Sequence, residues 1–140
     1  MSIKYSIILN YIKDLSVETP DPETLFVARE RLPKYSLNLD ITSKPYKNKM
    51  IEVFTKLSYG DKEKSKKKTF IEMIYSTVIN IDEENPEKES LKKLILCDLQ
   101  IEVYPKLQKS FLEILKLSGF EGVDISGKID FVKLYNERSN

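Results

Sequence analysis

The hydrophobic period of this chain changes once, near Asn85-Pro86, and this change limits the folds that the chain can adopt. Before it, apolar residues alternate with polar ones, which is the period of a half-buried β-strand. After it, apolar residues recur every three or four positions, as on one side of an α-helix. Strands that all precede the helices predict an α+β domain, with the helices on one face of an antiparallel sheet. No composition break divides residues 1–140, so we expect a single domain.

Four strands are predicted before the change of period. The first has apolar residues at odd positions, with an interruption at Lys13. After it, Asp21 is placed to cap a short helical turn that begins at Pro22, with Leu25 and Phe26 turned inward. The connection before the last strand is rich in lysine, which indicates an exposed hairpin loop. The predicted strands cover residues 3–18, 37–42, 50–59 and 69–81.

Three helices are predicted after the change of period. Asn85-Pro86 is typical of a helix start, and a second helix is predicted to begin near Pro105 and to end at Gly119. Asp130 is placed to cap a short last helix. One side of that helix carries Phe131, Leu134 and Tyr135. The sequence therefore predicts four strands followed by three helices, of which the last two are a long and a short C-terminal helix.

The predicted elements carry more apolar surface than they can bury against each other. The third and fourth strands are apolar on both faces, whereas a sheet with one solvated face alternates more cleanly. The apolar arc of the second helix is also wider than one sheet face requires. We therefore expect the spare surface to meet partner subunits or another apolar ligand.

The missing residue types exclude several kinds of chemistry. The chain has no histidine, which excludes a histidine general base, a Ser-His-Asp triad and every metal site that contains histidine. Cys97 is the one cysteine, so neither an intramolecular disulfide nor a thiolate zinc site can form. The four glycines lack the spacing of a phosphate-binding loop. The sequence thus predicts a binding protein without cofactor or metal rather than an enzyme.

The charge and the N-terminus bear on location and partners. The net charge of +1 gives no reason to expect nucleic acid or an anionic membrane as a partner. No apolar run is long enough to span a membrane, so membrane insertion is not expected. The first residues lack the pattern of a signal peptide, and we expect a cytoplasmic protein.

With these elements placed, the sequence resembles the SecB family of protein-export chaperones. Residues 11–20 (YIKDLSVETP) resemble the first-strand signature of the family, and residues 37–40 (LNLD) resemble its second-strand segment. Residues 70–73 and 78–81 fit the fourth strand. Tyr104-Pro105 fits the start of the long helix, and residues 129–135 (IDFVKLY) resemble the closing helix. Each segment alone is a weak indication of the family, whereas the order and spacing of the segments along the chain are a more specific one.

The resemblance implies a fold, an assembly and a function. It implies a four-stranded antiparallel sheet with two helices, and a homotetramer built as a dimer of dimers. Members of this family hold unfolded preproteins in apolar grooves without ATP and hand them to the SecA motor of the Sec translocase. A holdase needs neither histidine nor a nucleotide loop, which agrees with the composition. The candidate groove residues implied here are Phe26, Tyr35, Leu37, Leu39, Phe131 and Leu134.

The resemblance also implies a contact with SecA. In this family acidic residues on the exposed sheet face carry that contact, and the matching positions are Asp14, Glu18 and Glu72. All three fall on the even side of their predicted strands. Such a patch would attract a basic, zinc-stabilised tail, with a strong dependence on salt.

Three other interpretations stay open at the level of sequence. A SecB-like chaperone that guards an antitoxin would use the same grooves but would not need the acidic residues. An enzyme would need acid or base groups such as Tyr11, Tyr75 and Asp14, which lie at no known motif spacing. Nucleic-acid binding would rest on the lysine-rich hairpin, where Asp61 and Glu63 dilute the positive charge. The cysteine lies in a helical apolar run, which favours a core residue over a nucleophile.

Overall fold

The computed structural model describes residues 3–62, 68–123 and 129–139. Most of the lysine-rich connection and the segment 124–128 lie outside the described residues. The strands are β1 (Tyr5–Glu18), β2 (Tyr35–Pro45), β3 (Met50–Asp61) and β4 (Phe70–Ile81). The helices are α1 (Pro22–Glu30), α2 (Lys88–Lys93), α3 (Leu99–Leu117) and α4 (Phe131–Ser139), with a 3-10 turn at Leu32–Lys34 and a π-helical stretch at Leu94–Asp98.

The four strands form one antiparallel sheet in the order β1-β4-β3-β2, which confirms the predicted α+β architecture. Odd-numbered residues of β3 and β4, such as Val53 and Ile71, are buried under the helices. We call this side the helix face. Even-numbered residues of the same strands, such as Glu72, lie on the opposite side, which we call the open face.

Two bulges interrupt the alternation of β1. The register against β4 shifts between Ile7 and Leu9, and again between Ile12 and Asp14. Each shift adds one residue to β1 and exchanges its two faces. Leu9 and Tyr11 therefore lie on the open face, although strict alternation from the start of the strand places them on the helix face. After the second shift the original phase returns.

The long helix differs from the prediction. Lys88 to Leu117 form one continuous helical segment, in which Pro105 is internal rather than the start. The backbone widens to a π-helix at Leu94–Asp98, where the amide of Leu99 donates to the carbonyl of Leu94. Such a π-helical stretch holds one extra residue without ending the helix. Sequence periodicity alone predicts two helices here. The extra residue of the π-helical stretch shifts the repeat of apolar positions, so the pattern before it does not continue regularly after it.

Two apolar clusters hold the helices against the sheet. One joins β1, β3 and β4 to the π-helical stretch, and it includes Val53, Ile79 and Leu99. The other joins β3 and β4 to α3 and the C-terminal segment around Phe111 and Phe120. Strand β1 contributes only Tyr5 and Ile7 to them, at its beginning.

The rest of β1 is an exposed edge strand, not the half-buried strand that was predicted. Leu15 and Val17 point to the helix face, yet 43% and 44% of their surfaces are accessible. The helices do not reach this part of the sheet. The apolar excess predicted from the sequence is therefore concentrated along an edge whose outer backbone groups make no ladder with any described part of the chain.

Candidate binding surfaces

The structure brings the three predicted acidic residues together on the open face. In the β1–β4 register, Asp14 is opposite Ile74, Ser16 is opposite Glu72 and Glu18 is opposite Phe70. Glu72 is therefore diagonal to both acidic residues of β1. Diagonal neighbours in an antiparallel pair are roughly 7–8 Å apart, which is close enough for one partner surface to touch all three carboxylates.

Phe70 belongs to the same surface, although it is not among the candidate residues selected from the sequence. Its ring is 42% exposed and lies over the backbone of Gly60, where an added Cβ would be 2.9 Å from the ring. With Glu18 and Glu72, Phe70 lines a shallow depression of about 350 Å³. The sequence contains the signal that identifies it: Phe70 lies two residues before Glu72 in β4, so the two side chains are neighbours on one face.

One lysine offsets part of the negative charge of this surface. Lys56 Nζ lies 3.6 Å from Glu72 Oε1, and both side chains are partly exposed. An exposed pair of this kind contributes little to stability. Within the described residues, neither Asp14 nor Glu18 has a cationic partner in ion-pair range. Two of the three carboxylates are thus available to an incoming basic group, and the third is shared with Lys56.

The centre of the open face is held by Glu52, which is 7% exposed. Its Oε2 accepts hydrogen bonds from Ser76 Oγ at 2.6 Å and from Tyr11 Oη at 2.8 Å. The hydrogen bond from Ser76 is the main reason that the pKa of Glu52 lies below its ordinary value. Lys44 Nζ is 3.9 Å from the other carboxylate oxygen, so this one side chain on β3 has partners on β1, β2 and β4.

Helix α1 positions Phe26. Asp21 caps the helix as predicted, with its Oδ1 2.8 Å from the amide of Thr24. Leu25 packs inward against Gly119, whose φ of +96° no other residue adopts easily. Phe26 points outward and is 66% exposed. The expectation that Phe26 turns inward is therefore wrong, because Leu25 and Ala28 lie on the side of α1 that meets the core and Phe26 does not.

The six candidate groove residues divide into three environments. Tyr35 is buried, with its ring centroid 5.3 Å from that of Tyr59, and burial raises the pKa of its hydroxyl. Phe131 is also buried, in an edge-to-face contact with Tyr104. The remaining four are more accessible. Leu37 and Leu39 pack at the margin of the core, whereas Phe26 and Leu134 are exposed.

The residues that were candidates for catalysis or metal binding pack in the core or bond to neighbouring side chains, which indicates structural roles. Cys97 is buried, and burial raises the pKa of its thiol, which disfavours the reactive thiolate. Tyr75 packs at the core margin, and Tyr11 is bonded to Glu52. Within residues 3–62, 68–123 and 129–139, no group of histidine, cysteine or acidic residues could hold a metal ion. No helix in the same ranges is long and apolar enough to cross a membrane.

Comparison with known proteins finds relatives that align with nearly the whole chain. A relative from Pelagibacter ubique that bears the SecB name is 43% identical over 140 residues, which is all of both chains. The protein-export protein SecB of Bartonella bacilliformis is 25% identical over 134 residues, covering 96% of this chain and 82% of that protein.

A solved structure shares the fold. The SecB-like chaperone of Mycobacterium tuberculosis, determined with a peptide from an antitoxin, superimposes with a TM-score of 0.64 at 8% identity. The alignment covers 87% of this chain and 86% of that one. The family described as preprotein translocase subunit SecB matches residues 2–140. The chain therefore belongs to the SecB family of protein-export chaperones.

Proposed function

We propose that this protein is an ATP-independent holdase that binds unfolded preproteins and delivers them to the SecA motor. The observation that carries the proposal is the register that gathers Asp14, Glu18 and Glu72 beside the exposed ring of Phe70. Carboxylates around an apolar ring offer both charge attraction and contact area to a basic partner segment.

Client binding is assigned to the apolar side chains around α1 and α4. Phe26 is exposed on α1, next to Leu25, which packs against the core cluster, and Leu134 is exposed on α4. An unfolded client could bury its own apolar side chains against such positions. Many weak contacts of this kind give avidity without requiring a particular client sequence.

The assembly is proposed to be a homotetramer, a dimer of dimers, that uses the exposed edge of the sheet. Val17 and Leu15 leave an apolar surface on an edge strand, which a second copy could cover while pairing with the outer backbone groups of that strand. Several copies would also place several client surfaces within reach of one unfolded chain. We therefore regard assembly as a condition for holdase activity.

The test measures aggregation and motor binding separately. Light scattering is recorded while a chemically unfolded client is diluted into buffer with about one tetramer per client and no ATP. We expect the protein to suppress aggregation. Lack of suppression by the assembled protein would contradict the holdase assignment.

Binding of purified SecA is then measured for a variant with Asp14→Lys, Glu18→Lys and Glu72→Lys. We expect this variant to lose SecA binding while it still suppresses aggregation. The matched control carries Asp82→Lys, Glu83→Lys and Glu87→Lys, which make the same change in net charge at exposed carboxylates beyond the end of β4. Equal binding by the two variants would exclude the acidic residues as the SecA contact.

A further inference from the structure

A basic patch lies at the centre of the open face, next to the acidic residues assigned to SecA. It consists of Lys13, Lys44 and Phe54. Lys13 is the extra residue of the second β1 bulge, and Lys44 lies on β2, at the other edge of the sheet. Their ammonium groups are 5.1 Å and 5.8 Å from the centroid of the Phe54 ring, which is partly exposed on β3. No residue of this patch is among those assigned above to client or SecA binding.

The register of the sheet leaves room for both lysines above the ring. Tyr11 and Phe54 are the two partners of Ser76, one on each side of β4. Because serine is small, the side chain of Lys13 can cross β4 and reach Phe54. The face of an aromatic ring attracts ammonium groups, so Phe54 holds both cations in one place.

The basic patch keeps a net positive charge. Glu52 is the acidic residue beside it, and one carboxylate oxygen lies 3.9 Å from Lys44 Nζ. The other oxygen already accepts hydrogen bonds from Ser76 and Tyr11. Within residues 3–62, 68–123 and 129–139, Lys13 has no carboxylate within 4.0 Å. One buried carboxylate thus balances one of two ammonium groups, and one positive charge remains.

The other acidic residues at the centre of the sheet belong to a different row. Asp40 is opposite Lys56, and Lys56 also pairs with Glu72. Glu72 precedes Ser76 by four residues, which places the row of Phe54 roughly 13 Å further along β4. The open face is therefore acidic at one end and basic at its centre. A partner segment that carries only basic residues matches the first of these regions and not the second.

We propose that the SecA segment bound on the open face carries an acidic residue about four positions from its basic residues, at the spacing of an extended chain. The basic residues contact Glu18 and Glu72, and the acidic residue lies between Lys13 and Lys44 above the ring. The inference rests on the SecA contact proposed above and adds an oppositely charged subsite to it. Charge complementarity with both regions identifies the occupant, since the basic patch is continuous with the acidic surface.

The test of the spacing uses two fluorescein-labelled peptides of equal length and composition. Each has two adjacent lysines and two glutamates in an otherwise uncharged sequence. The glutamates begin about four residues after the lysines in one peptide and are adjacent to them in the other. Fluorescence anisotropy measures binding to the full-length protein at low salt. We expect the spaced peptide to bind about fivefold more tightly, because exposed ion pairs contribute modestly. Equal affinities would overturn the inference.

The variant with Lys13→Gln and Lys44→Gln should lose this preference and should bind SecA about fivefold more weakly. A general charge effect predicts the opposite, because removal of positive charge from the open face strengthens the attraction of a basic partner. The control carries Lys93→Gln and Lys109→Gln, which remove the same charge from exposed positions of the long helix. It should behave as the wild type.

Lys13→Gln alone repeats the measurement while it leaves Lys44 beside Glu52. Urea denaturation of this variant should match that of the wild type, because Lys13 is exposed and has no described carboxylate within 4.0 Å. Weaker SecA binding by this variant would then be an effect on the contact and not on stability. Unchanged or stronger SecA binding by both Lys13 variants would show that the basic patch takes no part in the contact.

The acidic variant described above separates this inference from the SecA assignment. If Asp14→Lys, Glu18→Lys and Glu72→Lys abolish SecA binding but Lys13→Gln and Lys44→Gln do not weaken it, the SecA assignment stands and the basic subsite is wrong. If SecA does not bind the wild type while the spaced peptide still binds preferentially, the open face accepts this charge pattern from a partner other than SecA. That result would overturn the occupant named here.

Discussion

The hydroxyl of Tyr11 donates a 2.8 Å hydrogen bond to Glu52, although 41 residues separate them in sequence. The contact is possible because the first bulge of β1 turns Tyr11 onto the open face. A buried carboxylate without hydrogen-bond donors would lower the stability of the folded protein. The hydrogen bonds from Tyr11 and Ser76 offset this loss and allow Glu52 to lie buried in the sheet. The bulge therefore positions one of the two hydroxyl groups that stabilise the buried Glu52.

Tyr11→Phe should lower the free energy of unfolding by about 0.5–1.5 kcal/mol, because it removes one donor to the buried carboxylate. Urea denaturation of the variant and the wild type at neutral pH measures this difference. Tyr46→Phe is the control, since Tyr46 is an exposed tyrosine with no hydroxyl contact to the Glu52 carboxylate. A loss no larger than that of the control would contradict a stabilising role for the Tyr11–Glu52 bond.

Glu52 should make stability depend on pH. Its pKa is lower in the folded protein, so its contribution to stability is complete above the ordinary glutamate value of 4.5. The contribution is lost as pH falls through the lower folded pKa, because protonation then costs more in the folded state. Glu52→Gln should remove this part of the acid destabilisation. The check is to measure the urea midpoint of the wild type and of the variant from about pH 7 to pH 3. Parallel curves of midpoint against pH would exclude a contribution of Glu52 to the acid destabilisation.

Lys56→Gln should strengthen SecA binding, because it frees the Glu72 carboxylate from its neighbouring ammonium group. We expect an increase of about two- to fivefold at low salt, in keeping with the small energy of an exposed ion pair. Lys109→Gln removes the same charge from α3 and should have no effect. Binding is measured by surface plasmon resonance over a salt series. A weaker affinity for the Lys56 variant would show that Lys56 itself contacts the motor.

Gly119→Ala should destabilise the protein more than Gly122→Ala. An added Cβ at Gly119 would lie 2.6 Å from Leu25 Cδ2, whereas one at Gly122 meets nothing within 4 Å. Both glycines have positive φ, so both variants carry roughly 1 kcal/mol of backbone strain. The difference between the two losses of unfolding free energy reports the close contact between Leu25 of α1 and Gly119, which follows α3. Equal losses would mean that Leu25 moves aside without cost.

Phe26→Ser should weaken client binding with little change in stability. The ring is largely exposed, and surface substitutions usually change stability by less than about 0.5 kcal/mol. Phe111→Ala, at a fully buried ring, should cost about 3–5 kcal/mol and reports on the core instead. Thermal unfolding and aggregation suppression are measured for both. Unchanged suppression by the Phe26 variant would remove this residue from the client surface.

The parts of the molecule that follow local patterns were predictable. The strand order along the chain, the Asp21 cap and the shared face of Asp14, Glu18 and Glu72 all follow from periodicity or capping rules. The shared face was predicted correctly because each of the three residues lies in a stretch of β1 or β4 with regular alternation. Their proposed role as the SecA contact rests on the family resemblance and not on their spacing.

The remaining features depend on tertiary structure. The bulges of β1 leave no sequence signal stronger than the irregularity at Lys13, so the open-face position of Tyr11 was missed. Local rules predict a helix start at Pro105 because proline is favoured there, but packing against the sheet keeps the helix intact around it. The exposure of Phe26 depends on which side of α1 meets Gly119, a residue 93 positions after it.

The paired bulges also decide where the first strand can change in length. Each extra residue, near Ile8 and near Lys13, has no partner of its own on β4. Removal of one of them would leave the partner of every later residue unchanged, so Asp14 and Glu18 would stay on the open face. Removal of a paired residue would instead turn side chains of the strand over to the other face. Single-residue deletions in this strand should thus be tolerated at the two bulges and not elsewhere, even though its side chains are exposed.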